Sequence, residues 1–491
     1  MNSIGIKIRQ TAIRCKRLFR RQTALLGTTL CVALALAPPP VSGAQEFPKT
    51  PPADLAISPS MSPKRETFTL KNGLKVIVAE SSRTPLVTMQ LVIKAGSTTE
   101  PAGSPGLAGA VASQLTAGTD KMTAYQLRVA AERLGGAVTA SATPDYALIS
   151  ATGLGANAKG LTGILAEAAL HPKFPAEELK VYQQLSLQGF IAQRQSPDFL
   201  ANEQLLKAIY GESSPYGRAS SSPAAIQALT PEKMKAFYQS RYSPEGAFLL
   251  VVGDVRASAI LPLIETQFGG WKVGVQAQRL PDTKPLPMKG RKIYLYNRPG
   301  SVQSNILIGK PTLRRNDPGV YALTVANHVL GGSTSSRLFN SVREKKGYAY
   351  SVSSRLAYNS LTGTFTSSAQ TRTAVTAPAL KEMLAQMRMM SDVRVDETEL
   401  ESYKNNLVGN FAIGLTTQAT TTTYLFNMEQ YGLPEDWVES YRDRILAVKP
   451  VHAQRAAQSL LDTENLAIVV VGDADQLRDS LKEIGQVIDA N

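Results

Sequence analysis

The sequence repeats itself. FLLVVGDV, with Gly253-Asp254, returns 219 residues later as LAIVVVGDAD, with Gly472-Asp473. FPAEELKVYQQ and VDETELESYKN, aligned at Glu178-Leu179 and Glu399-Leu400, lie 221 residues apart. VTMQLVIKAG, residues 87–96, has its counterpart in VQSNILIGKP, residues 302–311. A duplication at nearly one spacing restricts the fold more than any other feature, because both copies must bury the same apolar pattern in the same way.

Each copy mixes short β-branched runs with helical runs such as PEKMKAFYQSRY and TAPALKEMLAQMRMM, without strict strand–helix alternation. This predicts an α+β fold of two homologous halves, each with helices covering one face of a largely antiparallel sheet. Asn72-Gly73, between TFTL and LKVIVAE, predicts a hairpin at the start of the first half. The halves span 66–274 and 291–491, joined by a linker at 275–290, VQAQRLPDTKPLPMKG. Two halves so joined would form a clam with a ligand-sized chamber between them.

Residues 104–119, SPGLAGAVASQLTAGT, raise a question. Ser104 and Pro105 suit the N-cap and first helical position, and Leu107, Val111 and Leu115 repeat as one buried stripe. The adjoining face, Gly109, Ala112, Ser113 and Thr116, is nearly bare, although an interior glycine costs a helix about 1 kcal/mol against alanine. Close helix packing is one explanation, lost chemistry another.

The N-terminus reads as a separate element. Seven basic residues between Lys7 and Arg21, with no acid, precede the apolar segment Thr23–Ala37, and PPPVSGA follows. This pattern predicts a secretory signal at 1–44, cleaved near Ala44, with an uncleaved anchor as the other reading. A flexible proline- and serine-rich lead-in, 45–65, comes next. Cleavage would remove both cysteines, Cys15 and Cys31, and seven positive charges, leaving 14 − 7 = +7. The mature chain would then have no disulfide and no thiol chemistry, would suit a bacterial periplasm, and would have neither a membrane segment nor the charge of a nucleic-acid binder.

Taken in order, NGLKVIVAE, PGLAGAVASQLTAGT, HPKFPAEEL, SSPYGR, FYQSRYSPEGAFLLVVGDV, LGGSTSSRLFNSVREKKGYAYSV and LAIVVVGD resemble the pitrilysin–insulinase family of zinc peptidases. The resemblance covers nearly all of residues 66–480 and includes the duplication. In active members the helix after PG-L carries H-x-x-E-H, two zinc-binding imidazoles one turn apart beside a general-base glutamate. The resemblance places Gly109 and Ser113 at the histidine positions and Ala112 at the glutamate. A further glutamate ligand falls at Gln188 or Gly189. The chain's three histidines, His171, His328 and His452, are too far apart in sequence for a short metal motif, and His328 reads as a core or cap residue.

The second half keeps more. VREKKGYAYSV carries Arg343 and Tyr350 at the spacing of the family's Arg/Tyr pair, which holds peptide and stabilises the oxyanion. Gly331-Gly332 lies where the processing peptidase's non-catalytic subunit has a glycine-rich substrate loop; a helix C-cap is the alternative. The resemblance therefore implies a non-catalytic subunit with no cofactor of its own. It would supply Arg343, Tyr350, Gly331 and Gly332 as substrate-binding residues to a zinc-carrying homologous partner acting on a peptide substrate. A stand-alone peptide-binding or scaffold protein is the alternative. An active hydrolase is disfavoured, since no G-x-S-x-G and no mature cysteine is present.

Overall fold

A hairpin opens the structure. In this computed structural model, which describes residues 64–272 and 284–490, β1 (Arg65–Thr69) pairs antiparallel with β2 (Lys75–Glu80). Gly73 takes φ +90°, a conformation glycine adopts without a Cβ penalty. The Asn72 amide locks the turn by donating to Phe268 O at 2.8 Å and Trp271 O at 3.1 Å. The expected signal peptide, nearly all of the lead-in and the first part of the linker, 275–283, lie outside the described residues.

The first half continues with β3 (Leu86–Ile93), β4 (Ala137–Ala142), β5 (Ala147–Leu154) and β6 (Phe248–Gly253). Its helices are α1 (Leu107–Gln114), α2 (Ala124–Arg133), α3 (Ala158–Leu170), α4 (Ala176–Arg194), α5 (Pro197–Tyr210), α6 (Pro223–Gln227), α7 (Pro231–Arg241) and α8 (Ala257–Phe268). The second half holds β7 (Arg291–Asn297), β8 (Gln303–Thr312), β9 (Ala349–Tyr358), β10 (Gly363–Arg372), β11 (Leu466–Gly472) and β12 (Gln486–Ala490). Its helices are α9 (Val320–Gly331), α10 (Thr376–Asp392), α11 (Glu397–Gly414), α12 (Gln418–Tyr431), α13 (Trp437–Leu446), α14 (Pro450–Leu460) and α15 (Ala474–Lys482).

The strand orders display the duplication. The first sheet runs β1-β2-β6-β3-β5-β4 and the second β12-β7-β11-β8-β10-β9. Five strands correspond in place and direction: β2–β6 and β7–β11 are parallel, and the three pairings that follow in each sheet are antiparallel. The sixth strand differs, coming from the N-terminal hairpin in one sheet and from the C-terminus in the other. All the sequence landmarks fall on equivalent elements: β3 with β8, β6 with β11, and α4 with α11.

The packing goes further than one covered face per sheet. Helices of the same half cover one face of each sheet, but the other face is not left open at its centre. β6 and β11 are buried along their whole length. Leu249 and Val251 pack into the core of the first half, whereas Phe248, Leu250 and Val252 pack with Leu425 and Phe426 of α12. Reciprocally, Leu200, Leu205 and Ile209 of α5 pack with Ala467, Val469 and Val471 of β11. Each half thus sends one helix onto the other's sheet. This explains why FLLVV and LAIVVV are continuous apolar runs rather than alternating ones, as strands buried on both faces require. The exchange makes the described residues one compact unit.

Candidate functional site

Helix α1 packs against β4, β5 and α7. Leu107, Val111 and Leu115 form the expected buried stripe, at 2%, 0% and 0% exposure. Its N-terminus differs from expectation: Ser104 is not the cap. Gly106 precedes the helix at φ +88°, where a Cβ would lie 1.9 Å from Ser221 Oγ. The orphan N–H groups of Gly106 and Ala108 both donate to Glu100 Oε1 at 2.9 Å. Burial raises the Glu100 carboxyl above its usual range, opposed by these two N–H groups and by Arg218, whose guanidinium lies 3.7 Å from Oε2. A residue four positions before Ser104 in sequence therefore caps the helix, because loop folding brings a stronger acceptor than the serine.

The bare face is not explained by crowding. A Cβ on Gly109 would meet nothing within 4 Å, and the same holds for Gly189 in α4. Ala112, between them in role, is fully buried, while Gly109 and Ser113 are half-buried. Space for side chains thus exists at two of the positions where the resemblance would put zinc ligands. The residues present do not fit the metal: glycine and alanine side chains offer no lone pair, and neutral serine is a poor ligand. Among the described residues no three His, Cys, Asp or Glu side chains gather into a metal-binding group.

The histidines serve elsewhere. His328 is buried in α9 with Nε2 2.9 Å from Asn406 Oδ1 of α11; burial holds its imidazole below the usual range, against that hydrogen bond. His171 lies 3.9 Å from Asp120, and His452 Nδ1 accepts the Lys449 N–H at the start of α14.

In the second half the chain enters β9 through a π-helical turn, Phe339–Lys345, in which Lys346 N–H reaches back five residues to Ser341 O at 3.1 Å. Gly347, at φ +60°, reverses the chain. This geometry brings Arg343 and Tyr350 together: the guanidinium carbon is 4.7 Å from the Phe339 ring centre and 5.5 Å from that of Tyr350. Tyr350 is 80% exposed, so its phenol faces solvent. Gly331 and Gly332 have a packing reason instead. A Cβ on Gly331 would lie 2.5 Å from Ser354 N, and one on Gly332 2.7 Å from His328 Nδ1. The two glycines end α9 against β9.

The glycines therefore predict opposite outcomes. Gly109→Ala is expected to stabilise the fold by about 0.5–1 kcal/mol, removing backbone entropy where the new methyl is free. Gly331→Ala is expected to destabilise it by about 1–3 kcal/mol through overpacking against backbone. Urea denaturation of both variants tests this; destabilisation by Gly109→Ala would restore the close-packing explanation.

Between the halves lies a cavity of about 870 Å³, lined by Pro144, Tyr216 and Arg218 on one side and by Asn305, Ser353 and Arg355 on the other. A polar network holds its boundary. The Tyr216 hydroxyl donates to Asp145 Oδ1, and Ser360 N–H donates to Asp145 Oδ2 at 2.9 Å. Burial and the Asp145 charge push the Tyr216 phenol far above its usual range, so it remains a donor. Tyr210 and Thr364 hydroxyls meet at 2.6 Å across the same boundary. None of these contacts is signalled by local sequence pattern.

Comparison with known proteins agrees with this architecture. Residues 75–221 match the family model described as insulinase (peptidase family M16), and residues 228–407 match that of the peptidase M16 inactive domain. An uncharacterized zinc protease of Mycobacterium bovis is 26% identical over 397 residues, 79% of this chain and 87% of that protein. An uncharacterized zinc protease of Bacillus subtilis is 26% identical over 285 residues, 58% of this chain and 68% of that protein. The peptidase M16 inactive domain from Pseudomonas fluorescens superposes with a TM-score of 0.77 at 26% identity, covering 84% of this chain and 98% of that one. A protease from Helicobacter pylori has the same fold, with a TM-score of 0.77 at 21% identity, covering 84% of this chain and 100% of that one. Both halves are matched by models of one family, and no H-x-x-E-H occurs in the sequence: the chain belongs to the insulinase, or M16, peptidase family.

Proposed function

We propose that this chain is the non-catalytic subunit of a two-chain zinc peptidase, with the metal and its H-x-x-E-H carried by a homologous partner. The observation that carries this reading is an asymmetry between the halves. Helix α1 has no metal ligand even where there is room for one, whereas the half-buried Arg343 sits against the solvent-exposed Tyr350. Oxyanion donors without a metal can contribute to hydrolysis only if another chain brings the polarised water. The two functions belong to opposite halves of the family's chamber, so dividing them between associated chains leaves each intact. β4, at the edge of the first sheet beside α1, offers unpaired backbone groups to which an extended peptide could add. The basic run and apolar segment before residue 45 support export to a periplasm, where the partner would also reside.

A second reading, peptide binding by this chain alone, is favoured by the cavity lined by its own two halves. The deciding experiment purifies the chain alone and together with an M16 relative containing H-x-x-E-H from the same source. Peptide cleavage by the mixture, exceeding that of the relative alone, is expected. Zinc bound stoichiometrically by this chain, with chelator-sensitive cleavage, would overturn the proposal.

A further inference from the structure

The cavity between the halves has two unlike walls. Helix α5 contributes apolar side chains, including Leu205 and Leu206. The opposite wall is the face of β8, β10 and β9 turned away from their own helices, and it is rich in hydroxyls: Ser351, Ser353, Thr366 and Ser368. Of these, only Ser353 and Ser368 approach one another, at 3.5 Å. A sheet face designed for dry packing would be apolar here, as the buried Phe365 is on the other side of β10.

The charges lining the cavity are unequal in availability. Asp198 accepts the Asn305 amide. Arg218 is turned to the buried Glu100. Arg355 is exposed, and among the described residues its side chain has no ion-pair or hydrogen-bond partner. A guanidinium presents a planar fork that matches a carboxylate with two parallel N–H···O bonds. Arg355 also stands on β9, the outermost strand of its sheet, five positions beyond Tyr350. At about 3.3–3.4 Å per residue, that separation is about 17 Å, or five residues of an extended peptide.

We propose that this cavity is a carboxylate-reading subsite for extended peptides, with Arg355 as its anchor and the Ser353, Thr366 and Ser368 hydroxyls as neutral donors beside it. The inference rests on the reading that the space between the halves holds peptide. It adds what that peptide must carry: a carboxylate, from an acidic side chain or from the chain terminus, about five residues from the bond that faces Tyr350.

The test uses the full chain and three fluorescent ten-residue peptides of otherwise identical neutral sequence. One has an internal glutamate and an amidated end, one a free C-terminal carboxylate, and one an amidated end with no carboxylate. Fluorescence anisotropy at low salt is expected to show about tenfold tighter binding of at least one carboxylate peptide than of the neutral amide. Which peptide gains identifies the source of the carboxylate. Arg355→Ala should abolish the difference and Arg355→Lys should keep part of it, with unchanged melting temperatures because the side chain is exposed. Equal binding of all three peptides, or a preference that survives Arg355→Ala, would overturn the subsite and leave the peptide chamber standing. Binding of none of them would overturn both.

Discussion

Tyr350→Phe is expected to lower peptide cleavage by the paired subunits about 100-fold while leaving the melting temperature of this chain unchanged. Removing one preorganised donor to a developing oxyanion typically costs about 10²–10³ in turnover, because the donor acts on charge present only in the transition state. The structure separates this effect from stability. Tyr350 is 80% exposed, so its hydroxyl supports no buried packing. Arg343→Ala is expected to act more weakly. Its guanidinium lies 5.5 Å from the centre of the Tyr350 ring, and an exposed cation–π contact of this kind is worth about 0.5–1 kcal/mol. Losing it frees the ring from one orientation without deleting the donor. Arg343→Lys should recover part of the loss. The check is kcat/KM of the mixture for each variant; values within twofold of the wild type for Tyr350→Phe would remove the donor role.

Leu205→Ala is expected to destabilise the whole molecule by about 2–5 kcal/mol, the range for truncating a fully buried leucine. Leu205 is 0% exposed and belongs to the cluster that joins α5 to Ala467, Val469 and Val471 of β11. Its contribution is not confined to one half. Helix α5 is a first-half segment in sequence and a second-half segment in packing. Loosening it exposes the face of β11 that its own half does not cover. The consequence for cooperativity is that both halves should unfold in one transition, followed by near-ultraviolet circular dichroism and by tryptophan fluorescence. Leu185→Ala in α4 serves as a control, since Leu185 is 62% exposed and its truncation should cost well under 1 kcal/mol. Separate transitions for the two halves, or a cost below 1 kcal/mol for Leu205→Ala, would show that the exchanged helix is not a structural tie.

Much of the candidate site was legible in the linear sequence because its chemistry is a matter of residue type. No folding can give glycine or alanine side chains a lone pair, so the absence of H-x-x-E-H could be read directly. The Arg343/Tyr350 pair was named by the family resemblance alone; the contact between the two side chains is made by the π-helical turn and Gly347. The reason for Gly331 and Gly332 was not legible, because it depends on Ser354 and His328, which the chain brings there from β9 and from one helical turn earlier. Nor was the Glu100 cap or the Asp145–Tyr216–Ser360 network, whose members meet only after the loops close.

The exchanged helices had a sequence signal that local periodicity does not weigh. Tyr210-Gly211 and Tyr431-Gly432, at the ends of α5 and α12, are also 221 residues apart. The duplication, the hairpin at Asn72-Gly73 and the strand periods were determined by the sequence itself, since they follow from local backbone preference and from apolar spacing within one copy. Which sheet each of α5 and α12 covers, and which polar groups close the cavity between the halves, was decided only by the tertiary structure. An apolar helix face specifies that it must be buried, but not against which of two similar sheets; that choice is made by the shape of the surfaces once both have formed.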